Sequence, residues 1–116
     1  MWTPTDLSAK LTEAYRVLKV AQEELHGAED SLQDAQNRLE DTRNAAIRTA
    51  EDLGKNEAQR AANLAERCEQ HLREVRAWER ERADARLSVD NARLDVEHLR
   101  AQLRLLEIAV GIQRAA

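Results

Sequence analysis

Leucine recurs every seven residues at Leu11, Leu18, Leu25, Leu32 and Leu39, and a second row, Leu7, Ala14, Ala21, Ala28, Ala35 and Thr42, runs four residues ahead of it. Two adjacent rows at this spacing make one continuous apolar stripe on a helix, and such a stripe is covered only when another helix lies along it. Ala46 and Leu53 extend the pattern. It resumes as Ala61, Cys68, Val75, Arg82, Val89, Val96, Leu103 and Val110, with a companion row of Leu64, His71, Trp78, Ala85, Ala92, Leu99 and Leu106. Large residues face small ones along much of this seam, which suits a close approach of the two helices.

The break between the two patterns is Leu53-Gly54-Lys55-Asn56. Glycine takes the left-handed backbone conformation that closes a helix, and asparagine caps the exposed amides of the next one. Gln59 stands three residues beyond Asn56, where it can complete a capping box. The expected fold is therefore all-α, a long antiparallel helical hairpin or two-helix coiled coil. Residues 1–116 form a single domain in this reading, with helix 1 over about 4–53, a turn at 54–56 and helix 2 over about 57–112. Equal rise on both helices brings together residues whose numbers add to about 110. Leu32 then lies near Trp78, Leu11 near Leu99, and Ala28 near Arg82. Gly27 interrupts the first helix just off its seam, so a kink or a three-helix arrangement is the structural alternative.

The start of the first helix is equally legible. Thr3 can cap it, Pro4 fits its first position, and Asp6 can serve as the acidic half of a capping box. Trp2 and Leu7 stand at the two positions of a hydrophobic staple.

Composition narrows the function classes. The 116 residues include one proline, three glycines, no phenylalanine and only three aromatic residues, Trp2, Tyr15 and Trp78, too few to build the core of an ordinary enzyme. The net charge of −4, with both signs interspersed, argues against a histone-like polycation and against an acidic nucleic-acid mimic. Cys68 is the sole cysteine, which excludes an intramolecular disulfide and suits a reducing compartment. Met1-Trp2-Thr3-Pro4 does not read as a secretory leader, and no run reaches the roughly 20 apolar residues of a membrane span. A cytoplasmic location without membrane attachment is expected.

No residue set supports catalysis. Glu23 and His26, and Asp95 and His98, have half the spacing of a di-iron bundle motif, but they fall outside the seam. Cys68 and His71 supply at most two of the four ligands of a structural zinc site, and they read as core positions. Phosphate loops, nucleophile elbows and inward carboxylate pairs are absent from the sequence. A non-enzymatic protein with no cofactor and no metal is expected.

Two surfaces remain. The first is a second apolar stripe on helix 2, made of Leu87, Leu94, Ala101 and Ile108 at seven-residue spacing, with Leu105 and Ile112 beside it. A two-helix hairpin has no way to bury it, so it marks an oligomer interface. The expected assembly is a homodimer in which the second helices meet in a four-helix bundle. The second surface is rich in arginine, which outnumbers lysine 15 to 3. Arg73, Arg76, Arg80, Arg86, Arg93 and Arg100 can contact phosphates, with Trp78 as a stacking platform. Against that, Glu69, Glu74, Glu79, Glu81, Asp84 and Asp90 are interleaved with them, which is the usual pattern of a solvated helix face.

The run Leu53-Gly54-Lys55-Asn56-Glu57-Ala58-Gln59-Arg60, the alanine- and glutamate-rich helix after it and the closing Leu103-Arg104-Leu105-Leu106-Glu107 resemble short helical-hairpin proteins of unassigned function encoded by bacteriophages and prophages. The match covers roughly the second half of the chain. It implies a phage or prophage origin and a place beside phage DNA replication or recombination proteins, and no binding residue is carried over from it. Two functions are expected on these grounds. One is a structural or adaptor coiled coil that binds itself and an unidentified protein partner. The alternative is an accessory nucleic-acid-binding protein that uses the arginine-rich second helix.

Overall fold

The computed structural model describes residues 3–49 and 53–115. These residues form two helices, α1 over Pro4–Arg48 and α2 over Glu57–Ala115, packed against each other as an antiparallel hairpin, with no strand among the described residues. Among the described residues, every apolar side chain that is buried belongs to one of the seven-residue rows. On α1 and the connection these are Leu7, Ala21, Ala28, Leu32, Ala35, Leu39, Ala46 and Leu53, and on α2 they are Cys68, Val75, Val89, Ala92 and Val96. Ala61 is the outlier of its row, being exposed, and Arg82 is half-buried. An arginine tolerates a seam position because its aliphatic stem packs while the guanidinium reaches water.

The chain divides into two compact units. In the unit formed by residues 26–83, Leu32, Ala35, Leu39, Cys68 and Val75 make a buried cluster, against which Leu64, Leu72 and Trp78 pack. Leu32 and Trp78 are thus in one cluster, as the equal-rise register requires. Arg38 Nε lies 3.6 Å from Glu74 Oε2, which adds a charge pair between α1 and α2 at the same register. In the unit formed by residues 1–25 and 84–116, Lys10, Ala14 and Val17 of α1 and Ala92, Asp95 and Leu99 of α2 line a common groove.

Both helix starts are capped. The Asp6 amide donates to Thr3 Oγ1 at 3.2 Å, while Thr3 donates from its amide at 3.1 Å and from its hydroxyl at 2.8 Å to Asp6 Oδ2. This is the reciprocal capping box. The staple partner Trp2 lies outside the described residues, but Leu7 is buried. Chiefly the Thr3 amide, then its hydroxyl, holds the Asp6 carboxyl below its ordinary pKa. A depressed folded-state pKa means a contribution that is present above the unfolded carboxylate range and lost as the pH falls through the folded value. Asp6→Asn should therefore melt below the parent at neutral pH, and the gap should close in acid.

The connection between the helices departs from expectation in its details. The first helix ends at Arg48 rather than at residue 53, and the second continues past residue 112 to Ala115. Leu53 is buried although it lies outside both helices. Its carbonyl accepts from the Asn63 side chain, and the Gly54 carbonyl accepts from Arg60 Nε at 3.0 Å. Two side chains of α2 thereby satisfy carbonyls of the connection, which would stay unpaired even if α1 ran on to residue 53. Asn56 caps α2 as expected, accepting from the Gln59 amide at 2.9 Å. The Gln59 side chain reaches back one residue further than in a standard box, accepting from the Lys55 amide at 3.0 Å.

Gly54 has φ +151°. It does not close α1 in the left-handed helical conformation, as the sequence suggested, but prepares the entry to α2 with a backbone that side chains rarely adopt. A Cβ there would meet the Gln59 Cβ at 2.7 Å. Gly27 is the opposite case: α1 passes through it as one helix, and a Cβ would meet nothing within 4 Å. The two glycines therefore predict opposite signs. Gly54→Ala should destabilise by about 1 to 3 kcal/mol from backbone strain, and Gly27→Ala should stabilise by roughly 0.5 to 1 kcal/mol from helix propensity. Denaturant unfolding of the two variants checks both signs.

Candidate interaction surface

The stripe of α2 is as exposed as its pattern implies. Leu87, Leu94, Leu105, Ile108 and Ile112 keep between 51% and 67% of their surface in solvent, and Ala101 is also exposed. At about 100° per residue, they stand between about 120° and 180° around the helix from Val96, which is buried in the seam. Over this stretch α2 is apolar on two opposite faces. One is covered by α1 and the other is not.

The row through Leu87 changes character along the helix. In the unit of residues 26–83 it carries Glu66, Arg73 and Arg80, and in the other unit it carries Leu87, Leu94, Ala101 and Ile108. The uncovered apolar face is thus confined to one unit. Two further residues border it on one side. Glu97 and Arg104 share the row next to Ala101, and with Arg100, Leu103, Glu107 and Ala101 itself they line a shallow depression beside the stripe. Neither Glu97 nor Arg104 makes an ion pair among the described residues. Sequence reading passed over both, although their spacing of seven and their opposite charges were visible beside the stripe. It also passed over Tyr15, Val17, Val20 and Ile47, large apolar side chains of α1 left well exposed.

The arginines fall into two groups. Arg73, Arg76 and Arg80 border a shallow depression with Glu79 and Ala83, and Arg73 is already paired with Glu69 at 2.5 Å. Arg86, Arg93 and Arg100 are exposed along a different row, between the seam and the stripe. Arg73, Arg76 and Arg80 belong to the unit of residues 26–83, and Arg86, Arg93 and Arg100 to the other.

The remaining polar candidates are accounted for locally. His26 Nε2 faces Asp30 Oδ2 at 3.6 Å on an exposed part of α1. His98 and Asp95 line the groove of their unit. Cys68 is buried, and His71 Nδ1 is buried without a hydrogen bond, 3.9 Å from Glu74 Oε2. Among the described residues no three His, Cys, Asp or Glu side chains are grouped to hold a metal ion, and no helix is long and apolar enough to cross a membrane. Comparison of the chain with protein-family models, with curated proteins and with solved structures finds no match in any of the three.

Proposed function

We propose that this chain is a non-enzymatic coiled-coil protein that acts by associating with itself and with a protein partner. The observation that carries the reading is the exposed apolar face of α2 from Leu87 to Ile112, opposite the seam in which Val89, Ala92 and Val96 are buried. Contiguous exposed apolar surface on a soluble helix is the usual mark of a protein interface. Two helices bury little surface by themselves, so association also adds stability that the hairpin lacks. Because the face lies opposite the seam, association through it places α1, α2 and their symmetry copies in one layer, not in the square bundle that a side-facing stripe would build. The resemblance to phage-encoded hairpins supports a phage origin for this role.

The second reading is an accessory role on nucleic acid, favoured by the arginine-bordered depression at Arg73, Arg76 and Arg80. Sedimentation equilibrium and a salt titration of DNA binding separate the two. Self-association without DNA binding at low salt supports the interaction protein. A monomer whose DNA affinity falls steeply with salt supports the alternative, because phosphate contacts release counterions.

A further inference from the structure

We infer that the second copy docks on α2 antiparallel, with the two-fold axis passing between the two copies of Ala101, so that Glu97 of each chain pairs with Arg104 of the other. The inference rests on the self-association reading and specifies its geometry. Three observations on α2 lead to it.

The first is charge. A two-fold axis perpendicular to two antiparallel helices brings each flank of one helix against the same flank of its copy, with positions before the axis meeting positions after it. Glu97 precedes Ala101 by four residues and Arg104 follows it by three, so the two lie at nearly equal distances, about 6 and 4.5 Å along the helix, on either side. Each then finds an opposite charge in the copy, twice per dimer. Within one chain the two are about 10 Å apart along the axis, and neither makes an ion pair among the described residues.

The second is shape. Ala101 is the smallest side chain of the stripe and so the place where a second helix can come closest, and along the helix it sits between the two charges, which line a shallow depression with it. Leu94 of each chain then lies against Ile108 of the other, large against large on both sides of the small pair. On the other flank Leu105 faces His98 of the copy, and Ile112 faces Asn91.

The third is exclusion of the neighbouring registers. Sliding one heptad toward the N-terminus sets Glu97 against its own copy and Ile112 against Asp84, while leaving an Asp90 and Arg104 pairing as its only charge gain. Sliding one heptad toward the C-terminus sets Arg104 against itself. Charge pairs flanking an apolar stripe are the usual device by which paired helices choose register and orientation.

The test uses the full chain with Cys68→Ala, so that an added cysteine is the only thiol. Under mild oxidation Ala101→Cys should give a disulfide-linked dimer, whereas Leu94→Cys should stay largely unlinked, since its copy lies about 20 Å away along the pair. Separately, Glu97→Arg should weaken the dimer about tenfold, and adding Arg104→Glu should restore it to within about threefold. Cross-linking through His98→Cys in preference to Ala101→Cys, or a double charge swap no tighter than Glu97→Arg alone, would overturn the inference while leaving the dimer standing. A parent monomeric at high concentration removes the self-association reading itself, and the register with it.

Discussion

Replacing Leu94 and Ile108 together by glutamate is expected to abolish the proposed self-association without unfolding the chain. Both side chains leave more than half of their surface in solvent within one chain, so covering that exposed part contributes about 1 to 1.5 kcal/mol each. A symmetric dimer loses each contribution twice, a total of about 4 to 6 kcal/mol, which is a weakening of roughly a thousandfold or more. Four carboxylates moved into a covered interface add a desolvation cost on top of this. The seam lies on the opposite face of α2, and its buried residues Val89, Ala92 and Val96 are untouched, so helix content and monomer stability should change little. Sedimentation equilibrium on parent and variant, with circular dichroism as the control for folding, reads both halves of the statement. A variant that remains a dimer, or a parent that never forms one, would show that this face is covered by something other than a second copy.

That expectation could be drawn largely from the sequence, and the reason is periodicity. A residue row that repeats every seven positions reports which side of a helix it occupies, and two such rows on α2, one through Val96 and one through Leu94, report two opposite faces. Both are where their rows put them. The same logic misplaced the end of α1, because Ala46 and Leu53 continue the apolar row and the row records burial, not backbone conformation. Leu53 is buried from outside the helix, which the pattern cannot distinguish from being buried within it. The bonds from Arg60 to the Gly54 carbonyl and from Asn63 to the Leu53 carbonyl were illegible for a related reason. Whether a long polar side chain turns back to a carbonyl depends on where the chain before the helix goes. Arg38 and Glu74 meet only because the helices pack in the register they do, and each residue alone reads as solvated surface. Partner identity is a property of two surfaces, and one chain carries only one of them.

The tightest point of the seam gives the second large effect. Ala35 has 0% of its surface exposed, in the cluster with Leu32, Leu39, Cys68 and Val75, so α1 and α2 meet there through a methyl group. Ala35→Leu adds three carbon atoms where no space is open. Overpacking of a filled core costs about 1 to 3 kcal/mol, and the upper part of that range is expected here, because two packed helices relieve a clash only by moving apart. Ala62→Leu, on the exposed side of α2, serves as the control and should change stability by less than about 0.5 kcal/mol. The register also predicts a rescue. Ala35 and Val75 have numbers adding to about 110, the value that equal rise assigns to facing residues, so Val75→Ala should remove volume from the place where Ala35→Leu adds it. Val75→Ala alone leaves a cavity and destabilises by about 1 to 3 kcal/mol. If the two positions share one site, the double variant is more stable than the sum of the single losses requires, by at least about 1 kcal/mol. Urea unfolding of the four chains measures this coupling, and strict additivity would mean that the helices pass each other in a different register from the one described.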